Sequence, residues 1–310
     1  MNKRSTFFFG MIASLVCLMA YGFISSDTSS NKDVTEAETG NSTLYKVVSI
    51  PTPEEMTFAG EPVPLNVIDV REKLDRELHV NSYWHSNTFL TLKRANRWFP
   101  IIEPILEQHG IPEDFKYLAV IESGLTNAVS PAGATGVWQF MKSTGQGYDL
   151  EITSEIDERY HLEKATEAAC EYLTDAYQKY GSWSLVAASY NMGMGGVDKQ
   201  LNKQKVDTYW DLLLNAETGR YVYRILAVKE VLANPEAYGF VIDETDLYQP
   251  YETKTIEISE SIPDLPQFAL DQGINYKILK TLNPWLRKSS LTNSSKKTYE
   301  IKVPVNPNFE

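Results

Sequence analysis

One stretch constrains this chain more than any other: residues 111–147, IPEDFKYLAVIESGLTNAVSPAGATGVWQFMKSTGQG. Its first half predicts a short apolar helix. Pro112 suits the first helical position, where its missing N–H costs nothing. Glu113 and Asp114 put negative charge in the first turn, which the helix dipole favours, and Gly124 suits the left-handed residue that ends many helices. Phe115, Leu118 and Glu122 are spaced by three and four residues and share a face. A carboxylate in the last turn of an apolar helix faces the negative end of the dipole and loses water. Both effects raise its pKa, as proton donation near neutral pH requires. After Glu122 the small residues of SPAGATG (130–136) permit close approach, and VWQFMKSTG predicts a second short helix with Gln139 one turn in. An acid at a helix end, a small-residue loop and a helical glutamine make one wall of a cleft. On the residues alone, the stretch reads equally well as two core helices joined tightly, with Glu122 on the surface.

The 310 residues suffice for one large domain or two modest ones, and 43% hydrophobic and 12% aromatic content are globular values. A net charge of −12 argues against a polyanion-binding surface, so no nucleic-acid partner is expected. Cys17 lies in an apolar N-terminal run, which leaves Cys170 without a disulfide partner; it reads as a small buried hydrophobe. His79, His85, His109 and His161 show no metal spacing, and neither metal nor cofactor is expected.

In chain order, residues 1–26 read as a signal peptide or membrane anchor. Lys3 and Arg4 precede an uncharged run from Phe7 to Ile24, an order that places the remainder outside the cytoplasm. Cys17 sits in only a poor lipobox. Residues 27–64, polar and proline-containing, read as a flexible tether. From Val67 the spacing of Val67, Val70, Leu74 and Leu78 predicts a helix. Two more follow, interrupted near Pro100, with Trp98 reading as a core or interface residue rather than a sugar platform. Ser182 is a candidate N-cap, and Gly193, Gly195 and Gly196 a helix stop. From Lys254 an alternating strand, two short helices and a closing strand are expected.

Several separated motifs carry a resemblance. ES at Glu122–Ser123, SPAGATGVWQFM, STG, IDER (156–159), SYNMG (189–193) and ETGRYVYRILAVKEVLANPEAYGF (217–240) resemble, in order, the signature of the soluble-lytic-transglycosylase family. These are goose-lysozyme-like enzymes that cut peptidoglycan, and the similarity leans to their membrane-bound branch. The resemblance implies a mainly α fold. A lysozyme-like helical catalytic domain (65–247) would be followed by a small α+β LysM-like module (248–310). It implies Glu122 as acid and then base in a lytic transglycosylase, acting on peptidoglycan glycan strands on the periplasmic side of the cell envelope. Gln139, Tyr190, Asn191 and Tyr221 would position the sugars, with Ser123 and Ser130 contributing. Tyr190 also reads as a core residue and Asn191 as a turn cap. Glu217 reads as a second carboxylate or, preferably, as a backbone acceptor at a helix start. Asp157 and Arg159 read as a structural clamp. Tyr160, His161 and Leu162 depart from the family pattern, as do Ser189 and Met192. Two other functions fit the same motifs: a non-catalytic wall-binding protein, and a hydrolytic lysozyme.

Overall fold

The computed structural model describes residues 47–306. The expected signal or anchor segment and the first part of the expected tether lie outside these residues. No helix among the described residues is long and apolar enough to cross a membrane.

Residues 48–64, expected to be tether, are folded. A small hairpin pairs β1 (Thr57–Phe58) with β2 (Glu61–Pro62). Ile50, Phe58 and Val63 are buried in the main core. Polar, proline-rich composition conceals such widely spaced apolar anchors. Two polar contacts reinforce them: the Ala59 N–H donates to Asp114 at 2.7 Å, and the Ile50 N–H to His79 Nε2 at 3.1 Å.

α1 (Ile68–Tyr83) buries Val70, Leu74 and Leu78 completely, as their spacing predicts, while Val67 is its N-cap and exposed. α2 (His85–Gln108) runs unbroken through Pro100 and Pro104, against the expected interruption. Each proline forfeits one bond to the carbonyl four residues back. The two are themselves four apart and lie on the exposed face, where water can satisfy the freed carbonyls.

α3 (Lys116–Ser123), entered through a 3₁₀ turn at Glu113–Phe115 rather than at Pro112, is buried from Lys116 to Ile121. A helix apolar all round belongs inside, and here it packs between α2 and α8 (Thr218–Ala233). Buried Lys116 is held by Glu103 at 2.7 Å and by Glu113. α4 (Lys142–Gly147) and α5 (Leu162–Tyr180) follow, with Cys170 fully buried and its thiol pushed up to about 12 by desolvation. That thiol is a packing group.

α6 (Trp183–Met192) turns directly into α7 (Met194–Gln204) at Gly193, whose φ of 77° and ψ of 149° are open only to glycine. The glycine-rich run is therefore a corner between helices, with Gly195 and Gly196 inside α7. Ser182 stands at the N-cap of α6 but its side chain caps nothing there. Glu61 does so instead, accepting from the Trp183 and Ser184 N–H groups and the Ser182 hydroxyl.

The C-terminal strand–helix–helix–strand unit forms as its patterning predicts. β3 (Thr253–Ile258) pairs antiparallel with β4 (Tyr299–Pro304), in register from Thr253↔Pro304 to Ile258↔Tyr299. α9 (Leu265–Asp271) and α10 (Tyr276–Leu282) are capped by Asp264 and Asn275. This unit has its own apolar cluster, including Leu265, Leu279, Trp285 and Ile301, and one member comes from the helical body: Ile156. The N–H of Asp157 donates to the Trp285 carbonyl and that of Arg287 to the Glu155 carbonyl.

Candidate active site

Glu122 is the penultimate residue of α3, and Gly124 ends the helix in the left-handed region with φ 60°, as expected. Three groups meet the helix's last carbonyls. Arg224 donates to Ile121 O at 2.8 Å, Arg94 to Gly124 O at 3.1 Å and the Thr126 hydroxyl to Ser123 O at 2.7 Å. Two guanidiniums thus offset the negative dipole end, which by itself would raise the pKa of Glu122. The carboxyl of Glu122 is nevertheless raised above its ordinary pKa. Burial is the main cause; a hydrogen bond from the Tyr221 hydroxyl to Oε1 and the charge of Arg224 pull the other way, and the charge of Glu217 adds to the rise.

The carboxyl lies on the wall of a cleft of about 800 Å³ between α1, α2, α3 and α8. Among the described residues Glu77 and Glu217 are the other carboxylates lining it. Glu77 is only 1% exposed and is already gripped by Arg220, through Nε at 2.6 Å and Nη2 at 3.1 Å, and by Arg76. Glu217 is exposed at the start of α8, 3.4 Å from Asn191 Nδ2. Glu122 forms no ion pair among the described residues, so it is the cleft carboxyl that is both shielded and not neutralised.

The other predicted residues separate into two groups. Tyr221 (1% exposed) touches the acid itself, so it orients Glu122 rather than lining the open cleft. Tyr190 lies close enough that the charge of Glu122 raises its pKa, and its hydroxyl donates to Trp138 O at 2.8 Å within a cluster that includes Phe140 and Tyr172. Asn191 accepts from the Thr218 hydroxyl at 2.7 Å, tying α6 to α8.

Gln139 is not helical. It has φ 51° in the turn before α4, and its amide donates to Ala128 O and Gly136 O at 3.0 and 2.8 Å. The glutamine closes the 128–139 loop, because the loop's reversal is made by side chain and backbone bonds rather than a helical turn. Ser123 donates to Val137 O at 2.8 Å, and Ser130 accepts from the Ala134 N–H at 3.0 Å. Both hydroxyls are occupied by backbone.

Behind the loop, Arg159 grips Asp157 through two bonds and donates to Gly133 O and Phe140 O, both at 3.1 Å. Close packing explains Gly136: a Cβ there would stand 1.9 Å from the Arg159 carbonyl oxygen. No group of three or more His, Cys, Asp or Glu side chains converges as a metal site among the described residues.

Sequence reading missed Glu77, Arg220, Arg224 and Arg94. Glu77 carried a usable signal, since it stands three residues after Leu74 on the stripe that α1 buries. The arginines carried none, because their partners lie on other helices.

A buried acid at the end of an enclosed helix thus stands beside a cleft, with a two-stranded unit appended to the helical body. Residues 100–213 match the transglycosylase SLT domain, and residues 254–307 the soluble lytic transglycosylase C-terminal LysM-like domain. Over 243 residues the chain is 29% identical to membrane-bound lytic murein transglycosylase D of Escherichia coli (strain K12), covering 76% of this chain and 52% of that protein. The same figures hold for the protein of that name from Escherichia coli O6:H1. The chain thus spans about half the length of the curated relatives it matches. α8, which supplies Tyr221 and Arg224, lies beyond the SLT match.

Proposed function

We propose that this chain is a peptidoglycan lytic transglycosylase that cleaves the MurNAc-β-1,4-GlcNAc bond and leaves a 1,6-anhydro-MurNAc end. The observation that carries the reading is Glu122: a shielded carboxyl on the cleft wall, raised in pKa by burial, beside two carboxylates whose circumstances differ. Glu77 is neutralised by arginines and Glu217 is in water. With the Tyr221 hydroxyl donating to Oε1, Oε2 carries the transferable proton. That proton passes to the glycosidic oxygen as the C1–O bond breaks. The carboxylate so formed takes the proton of the MurNAc C6 hydroxyl, whose oxygen bonds to C1 within the same sugar. No water is consumed. The internal nucleophile gains from effective concentration, and one carboxyl serves where ordinary glycosidases use two. The similarity to lytic murein transglycosylases supports murein as substrate, and with it a site of action in the cell envelope.

Glu122→Gln tests this. General acid–base help is worth about 10²–10⁴-fold, and because Glu122 acts in both proton transfers, the loss of sacculus digestion should reach the upper end of that range. Mass spectrometry of wild-type digests should show non-reducing anhydro ends. Reducing MurNAc ends would instead mean hydrolysis, and no digestion by wild type would mean a binding protein.

A further inference from the structure

A second cavity, of about 420 Å³, lies between α2 and the C-terminal unit, and Arg94 and Thr126 line both it and the Glu122 cleft. The two spaces therefore adjoin. The second is different in chemistry. Its walls are aromatic: Trp98 meets Tyr251 edge-on at 5.9 Å, and Trp285 lies 5.8 Å from the His161 ring. Its charges are almost all of one sign, in a chain whose net charge is −12. Arg94, Arg97, Lys280 and Lys302 line it against a single carboxylate, Glu163, which is already taken up by Lys302 and His161.

The other three cations form no ion pair among the described residues. Arg94 holds the Gly124 carbonyl. Arg97 lies 4.2 Å over the Tyr251 ring and donates to Gln249 O at 2.8 Å. Lys280 reaches the Lys288 carbonyl at 3.2 Å, and burial together with the charge of Arg287 lowers its pKa to about 8. Gathering half-buried cations without counter-charges is unfavourable unless an anion joins them. A guanidinium presented on aromatic faces is suited to planar carboxylates.

We propose that this cavity takes the carboxylate-bearing stem peptide of the strand whose sugars occupy the Glu122 cleft. The C-terminal unit then contributes a subsite of its own, through Lys280 and Trp285, rather than only tethering the enzyme to the wall. The inference rests on the transglycosylase reading for the identity of its ligand. It also accounts for the sequence departures at Tyr160, His161 and Leu162, all three of which line this cavity.

The test uses the full chain and the tetrapeptide L-Ala-γ-D-Glu-meso-diaminopimelyl-D-Ala, titrated by tryptophan fluorescence, with its carboxamide form as comparison. The acid form should bind and the carboxamide bind at least tenfold more weakly. Arg97→Gln and Lys280→Gln should each weaken the acid form about tenfold or more, the worth of a charge-assisted bond, and more salt should weaken it further. On strands, both variants should lose kcat/KM with peptide-bearing glycan and keep it with amidase-stripped glycan. Equal binding of acid and carboxamide, unaltered binding in both variants, or equal losses on both glycans would overturn the proposal. Tetrapeptide binding of this pattern in a protein that digests no sacculi would support the subsite and reject the transglycosylase reading alone.

Discussion

Two opposing influences meet in the carboxyl of Glu122. Burial raises its pKa, while Tyr221 and Arg224 hold the rise in check. For a carboxyl raised on folding, the associated stability is fully present below the unfolded pKa and is lost as pH rises through the folded one. As pH rises through that pKa, ionisation of Glu122 therefore weakens the fold. Glu122→Gln, which still accepts from Tyr221, should be more stable than wild type by up to about 2 kcal/mol at pH 7. That gain should shrink toward acidic pH, as followed by thermal melts across pH. Tyr221→Phe removes a bond that favours the anion, so the pKa of Glu122 should rise further. The alkaline fall of kcat/KM, where the proton donor is lost, should then move to higher pH. An unmoved fall would take Tyr221 out of contact with the acid in solution.

The elements that hold the acid are tied by groups foreign to them. α6 is capped by Glu61 from the β1–β2 hairpin rather than by its own Ser182. Losing a cap costs about 1 kcal/mol, and up to about 2. Glu61→Ala should thus destabilise in urea titrations by more than Ser182→Ala; the reverse order would return the cap to the serine. The 128–140 loop depends on Gly136, with φ 83° and the Arg159 carbonyl pressed against it. Gly136→Ala should cost about 2–4 kcal/mol and lower activity, since Ser123 joins this loop to the helix that carries Glu122.

At the level of the whole chain, the LysM-like unit is docked rather than strung on a linker. Ile156 crosses into its core, and Glu151 and Glu155 reach Lys297, Tyr299 and Thr292. Arg97 stacks on Tyr248 and Tyr251, just ahead of β3. Ile156→Ala should cost about 2–4 kcal/mol. It should also make the 246–253 segment more susceptible to limited proteolysis; unchanged cleavage there would show that docking does not depend on Ile156.

Local spacing was enough for α1, for the Gly124 end of α3, for the place of the acid and for the order of the C-terminal strands and helices. Each of these is written in residues three, four or two apart, or in a terminator beside the element it ends. What tertiary structure alone decided lies between distant residues. Glu61 caps a helix whose first N–H lies 122 positions away, and Glu77 is neutralised by Arg220, 143 positions away. Gln139 folds back on its loop instead of entering a helix, and the polar stretch 48–64 is drawn into the core by three isolated apolar side chains. Long-range partners leave no periodic trace in sequence. The same holds for the acid's pKa: the dipole argument was local, but desolvation and the arginines that offset the dipole come from neighbours the chain meets only when folded.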